Sequence, residues 1–96
     1  MILWVDDLRQ PPMGEYCWVK SVNDAKFTIK ERGHFDYIDL DHDAGDYAYD
    51  GGDYIKLLDW LEEQHMNFPI KLHTMNPVGR QNMRNIIEKN GWREIF

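Results

Sequence analysis

Three short segments place acids or histidines where an apolar stretch stops: Trp4-Val5-Asp6-Asp7, Asp39-Leu40-Asp41-His42-Asp43 and Leu72-His73-Thr74-Met75-Asn76-Pro77. Strand ends carrying such groups imply one shared site on the rim of a sheet. Carboxylates brought close together repel, so either one stays protonated or a cation binds. Asp6, Asp7 and Asp41 are therefore candidate metal ligands, and oxygen donors of this kind suit Mg²⁺ or Mn²⁺. Histidine titrates near neutral pH and is the usual acid–base residue. His42 and His73 end neighbouring strands, roughly 4.8 Å apart, so both rings are expected to face one phosphate with Asp41 beside them. His34 and His65 read as structural. Asp43, Asp46, Asp50 and Asp53 read as a solvated loop and a helix start.

Asn76-Pro77-Val78-Gly79-Arg80 looks like an anion cradle. It opens a helix whose free N–H groups favour negative charge. Gly79 permits close approach, and Arg80 is a candidate phosphate partner. Arg9, just after the acid pair, is a second candidate. A calcium-loop reading of Asp39 to Asp50 is weaker. The required sixth-position glycine is Ala44, the twelfth position is Asp rather than Glu, and a strand precedes the segment.

The elements that must position these groups are legible in the spacing. Ile2 to Val5 reads as a buried strand, Leu8 to Glu15 as a loop with Pro11-Pro12 and Gly14, and Tyr16 to Lys20 as a second strand. Ser21 caps a helix running to about Arg32 and ended by Gly33. Phe35 to Leu40 is the third strand, followed by an acidic loop over 41–50. Gly51 or Gly52 opens a second helix, with Tyr54, Leu57, Leu58 and Leu61 on one face. Pro69 to Leu72 is the fourth strand. Asn76 caps a third helix with Pro77 in its first turn; Met83, Ile86 and Ile87 form its buried stripe and Gly91 stops it. Trp92 to Phe96 is the fifth strand.

Strands alternating with helices predict a mainly parallel α/β sheet. Ligands bind such sheets beyond the carboxyl ends of the strands, where Asp6, Asp7, Asp41 and His73 fall. The first connection is too short for a helical crossover, and no helix pattern follows the last strand. The two helices that would cover one face are thus missing. Alternation agrees: Ile38 and Leu40 alternate with Tyr37 and Asp39, and Ile70 and Leu72 with Lys71 and His73, as in a sheet with one wet face. That face is expected to be bare, or covered by the Pro-rich loop and aromatics such as Trp4 or Trp18, or by a second copy in a homodimer.

Ninety-six residues, 43% apolar and 14% aromatic, suit a single domain spanning residues 1–96. A net charge of -6 argues against general DNA or RNA binding. Cys17 alone cannot form an internal disulfide, which fits a reducing cytoplasm. The apolar start is too short for a signal sequence, and no apolar run would span a bilayer.

The Asp6-Asp7 pair after strand one, Asp41 after strand three and Thr74 after strand four resemble the acid pocket of two-component receiver domains. Such a pocket holds a divalent metal and phosphorylates the third-strand aspartate. The lysine that receivers carry at the end of the fifth strand has no counterpart in Trp92 to Phe96. A fuller resemblance is to an offshoot, the cyclic-phosphate processing receiver-like domain family. Its L-W-V-D-D-x-R-x-P-P, L-D-H-D-x-G and H-x-x-N-P-x-G-R patterns are similar to residues 3–12, 40–45 and 73–80. That resemblance implies the five-stranded order 2-1-3-4-5 and processing of 2′,3′-cyclic phosphate RNA ends or cyclic nucleotides, as in RNA repair.

The expected activity is a phosphoesterase. His42 and His73 exchange protons, one activating water and the other protonating the leaving ribose oxygen, while Thr74, Asn76, Arg80 and Arg9 contact the substrate. Asp6, Asp7 and Asp41 hold Mg²⁺ or Mn²⁺ where a metal is used. Two alternatives are a receiver-like switch phosphorylated at Asp41, and a non-catalytic module docking a partner through its open sheet face.

Overall fold

The computed structural model describes all 96 residues. In chain order the elements are β1 (Ile2–Val5), β2 (Tyr16–Val19), α1 (Val22–Arg32), β3 (Ile38–Leu40), a short 3-10 turn (Gly45–Tyr47), α2 (Ile55–Glu63), β4 (Ile70–Leu72), α3 (Pro77–Asn90) and β5 (Glu94–Ile95). The five strands form one sheet in the order β2-β1-β3-β4-β5, and every neighbouring pair is parallel. This is the α/β architecture and strand order expected from the sequence.

The helix ends follow local chemistry. Ser21 Oγ accepts the Asp24 N–H and starts α1, and Gly33, at φ 75°, closes it. Asn76 Oδ1 accepts the Gly79 N–H, Pro77 occupies the first turn of α3, and Gly91 ends it. The second helix departs from expectation. Gly51 and Gly52 have φ of 112° and 90°, which no helix start accepts, so the chain turns twice and α2 begins only at Ile55. β3, β4 and β5 are shorter than the expected strands Phe35 to Leu40, Pro69 to Leu72 and Trp92 to Phe96, although single ladder bonds reach Tyr37, Pro69 and Arg93 beyond them.

All three helices cover one face of the sheet. Their buried residues (Val22, Ala25 and Ile29; Leu57, Leu58 and Leu61; Met83 and Ile87) share one cluster with Leu3, Val5, Val19, Ile38, Leu40 and Ile70. The opposite face carries no helix. Its central row runs Trp18, Trp4, Asp39, Lys71, Ile95 across the five strands. The Pro-rich loop shields part of it, with Trp4 Nε1 donating to the Arg9 carbonyl at 2.8 Å. No helix is long and apolar enough to cross a membrane.

Candidate functional site

The alternation that separates the two faces also sets the site. Two residues beyond Trp4, Asp39 and Lys71 on the uncovered side stand Asp6, Asp41 and His73. Ladder bonds continue to these positions: Asp6 N–H donates to Val19 O, Asp41 N–H to Val5 O and His73 N–H to Leu40 O. Each side chain is thus aimed by the strand it terminates.

His73 is the best-anchored of them. Its Nδ1 lies 2.7 Å from Asp39 Oδ1, and its Nε2 lies 2.8 Å from Asp6 Oδ2. The Trp4 indole stacks flat on the ring, with centroids 4.0 Å apart and planes 3° from parallel. Asp39 and Asp6 are both buried, at 3% and 2% exposure. Two carboxylates on one imidazole favour the doubly protonated ring. Burial opposes that charge, but the hydrogen bonds and attraction of Asp39 and Asp6 prevail and raise the His73 pKa above 6.5.

Asp6 is the complement. Burial would push its pKa up, yet the N–H groups of Arg9 and Leu8, donating to Oδ1, and then His73 outweigh burial and hold it below the ordinary 3.8. Asp7 goes the other way. Burial, together with the charges of Asp6 and Asp41, raises its carboxyl. The Asp7 position depends on Gly45: a Cβ there would clash with Asp7 Oδ2. Asp41 Oδ1 accepts its neighbour's His42 N–H at 2.7 Å. Asp6, Asp7, Leu8, Arg9 and Asp41 line a pocket of ≈ 370 Å³. A larger groove of ≈ 690 Å³, between Ile29, Phe35 and Phe68 at the amino end of the sheet, contains none of these candidate residues.

Ligand atoms of Asp6, Asp41 and His73 lie within 4.8 Å of one another and could hold a metal ion. The donor set fits a cation on two grounds: Asp6 and Asp41 stand with Asp7 close enough for their charges to raise its carboxyl, and Asp39 already holds the far nitrogen of the histidine, as outer-shell carboxylates do at metal sites. This set shares Asp6 and Asp41 with the ligands expected from the sequence and adds His73, while Asp7 stands beside it.

His42 has different surroundings from His73. Its Nδ1 meets Asp43 Oδ1 at 2.9 Å, and its ring packs on the first turn of α3. A Cβ on Gly79 would stand 2.5 Å from His42 Cγ. The two imidazoles therefore share no hydrogen-bond partner, and the expected pairing of both rings on one phosphate has no support in these contacts. Register pairs Leu40 with Leu72, so Asp41 stands beside His73 while His42, one position further along its strand, turns to the opposite face. Thr74 is buried, with Oγ1 accepting the Asn76 N–H. Arg80 Nη2 donates to the Thr74 carbonyl, while its buried Nε has no partner. The Arg9 backbone braces Asp6 and Trp4, and the residue is exposed.

The acidic loop proves to be wired rather than merely solvated. Asp50 accepts from Ser21 Oγ and Asn23 Nδ2, and Asp53 Oδ1 accepts the Ala44 N–H. Asp39 lies in β3 with its carboxylate on His73, which removes it from any calcium loop. Sequence reasoning missed Asp39 and Trp4 as parts of the site. The available signal was parity, since both share the uncovered face with His73.

The parallel sheet in the order 2-1-3-4-5 with three helices is a receiver-like α/β fold. The chain belongs to the cyclic-phosphate processing receiver domain family, whose family model matches residues 1–89. That membership links it to cyclic phosphate processing. No curated protein and no solved structure matches the chain.

Proposed function

We propose that this domain hydrolyses cyclic phosphodiesters, either 2′,3′-cyclic phosphate RNA ends or cyclic nucleotides, with His73 as its principal proton carrier. The observation that carries the reading is the Asp39–His73–Asp6 chain under Trp4. Opening the ring forms a P–O bond to water and breaks a P–O bond to a ribose oxygen. The attacking water loses a proton and the leaving oxygen gains one. Asp39 fixes the imidazole, and Nε2 is the nitrogen that faces the pocket acids. As an imidazolium, His73 supplies the proton to the leaving oxygen. Asp7, made more basic than an ordinary carboxylate, accepts the proton from water, with Asp41 beside it.

His42 sits instead against the capped α3 N-terminus, where Asn76 and Arg80 would cradle an anion. We assign it, with Asn76, Arg80 and Thr74, to positioning the phosphate, with Arg9 at the pocket mouth. Asp6, Asp41 and His73 would hold a divalent cation; with nitrogen among the donors, Mn²⁺ suits the set better than Mg²⁺. When bound, the cation would stabilise the charge developing on the phosphate oxygens. A cation and a proton compete for the same His73 nitrogen.

The test is turnover of 2′,3′-cyclic nucleotides by wild type, His73→Ala and His42→Ala, with Mn²⁺ or with EDTA. His73→Ala is expected to lose about 10²–10⁴-fold in kcat, and His42→Ala to raise KM more than it lowers kcat. Turnover surviving EDTA keeps His73 as the acid, whereas turnover abolished by EDTA assigns it to the metal. No turnover by folded wild type under any condition would overturn the reading.

A further inference from the structure

The uncovered face is not an ordinary wet surface. Tyr16, Trp18 and Tyr37 are half-buried there, as are Lys20 and Lys71, and Arg93 is exposed. Register places them in successive rows. Tyr16 and Ile2 pair furthest from the rim, and Tyr37 and Arg93 continue that row one residue before β3 and β5; Trp18, Trp4, Asp39, Lys71 and Ile95 form the next row; Lys20, Asp6, Asp41 and His73 follow one residue past their strands, at the rim. Rows on one face are about 6.6 Å apart. The aromatics lead directly to His73, because Trp4 touches both Tyr16, edge to face at 5.8 Å, and the His73 ring. Lys20 Nζ lies 4.8 Å from the Trp18 ring centre.

Charge distinguishes this face from the rest of the molecule. In a chain of net charge -6, it presents Lys71 and Arg93 behind the rim, with Lys20 at the rim beside Asp6 and Asp41. Behind the rim its only carboxylate is Asp39, already spent on His73. Aromatic rings with interspersed cations on an open sheet are the chemistry that stacks bases and pairs phosphates of a single strand. A second copy of this chain would set these cations against cations.

We infer that the helix-free face is a stacking platform for the single-stranded RNA that precedes the cyclic phosphate, so that the preferred substrate is an RNA end rather than a mononucleotide. This rests on the proposed phosphodiesterase reading and extends it from the phosphate to the chain carrying it. The terminal ring lies at His73, and the upstream bases descend over Trp18, Tyr16 and Tyr37. Affinity comes mainly from stacking, which reconciles RNA binding with an acidic protein.

The experiment compares kcat/KM for a short single-stranded RNA ending in a 2′,3′-cyclic phosphate with that for the cyclic mononucleotide. It uses wild type, Tyr37→Phe, Tyr37→Leu and Lys71→Gln, with each variant checked for folding. The RNA end is expected to be preferred. Tyr37→Leu should lose about tenfold on RNA, the worth of one stacked base, with no change on the mononucleotide. Tyr37→Phe, which keeps the ring, should retain the preference, and Lys71→Gln should lose a smaller part of it. Amide NMR shifts induced by an RNA with a 3′-phosphate provide the second readout, and they should fall on residues 16–19, 37–39 and 71.

Equal turnover of both substrates, unmoved by Tyr37→Leu, would leave the phosphodiesterase standing and overturn the platform. If neither substrate turns over, the phosphodiesterase falls, and the shifts alone decide the platform: present on those strands they support it, absent they overturn it. Shifts there that grow with protein concentration and exclude RNA would mark a homodimer contact and overturn it as well.

Discussion

The two faces of one sheet do opposite jobs. Beneath the helices, Leu3, Val5, Ile38, Leu40 and Ile70 are fully buried and wholly apolar. On the other side the same strands present Trp4, Asp39, Lys71, Asp6, Asp41 and His73. Only one position along the chain separates each pair of opposites: Leu40 is core, while Asp39 and Asp41 belong to the site. A face that need not exclude water completely can keep charged groups, provided each finds a partner. Asp39 and Asp6 find theirs in His73. The missing helices thus leave room for chemistry at little cost to the core.

The sharpest way to break this comparison is a paired substitution. Leu40→Ala and His73→Ala should each cost about 3 kcal/mol in denaturant unfolding, one by opening a cavity and the other by stranding buried carboxylates. Turnover per folded molecule should fall only in His73→Ala. Equal loss of activity in both would erase the division of labour.

Asp39→Asn keeps the shape and removes the charge. It should lower activity about 10–100-fold, as loss of an orienting carboxylate does, and bring the His73 pKa down toward 6.5. An unchanged titration would mean that Asp39 does not set the charge of the ring.

Acidity gives a third probe, read as Tm against pH in EDTA for wild type minus His73→Gln. Asp6 is depressed, so its contribution is present above the ordinary 3.8 and is lost as pH falls through its folded value. His73 is raised, so its contribution is full below 6.5 and is lost as pH rises through its folded value. The stability difference should therefore peak between those two pH values. A difference that grows toward alkaline pH contradicts the ion pair.

Asp43→Asn should have the smallest effect. Asp43 is 62% exposed where it meets His42, so its loss should cost less than about 0.5 kcal/mol. A loss as large as that of Asp39→Asn would remove the contrast between the two histidines.

Much of this was legible in the chain. The Ser21 and Asn76 caps, the Gly33 and Gly91 stops and the alternation around Ile38 and Ile70 specified elements, face and sheet type, because each is a local rule. The start of α2 was misplaced because Gly51 and Gly52 look like a helix entrance but adopt left-handed backbone. The partnership of His73 with Asp39 spans two strands, so no local spacing announces it. The same holds for Asp50 bracing Ser21. His42 was drawn to His73 by sequence symmetry, while the pleat sent its ring toward Gly79.

The most direct test of the His73 account is a nitrogen NMR titration of the imidazoles, free and with a 2′,3′-cyclic nucleotide. The account predicts that His73 titrates above 6.5 with both ring nitrogens protonated below that value, and that the ligand shifts its Nε2 most strongly. A His73 ring that titrates below 6.5, or that ignores the nucleotide while His42 responds, would contradict it.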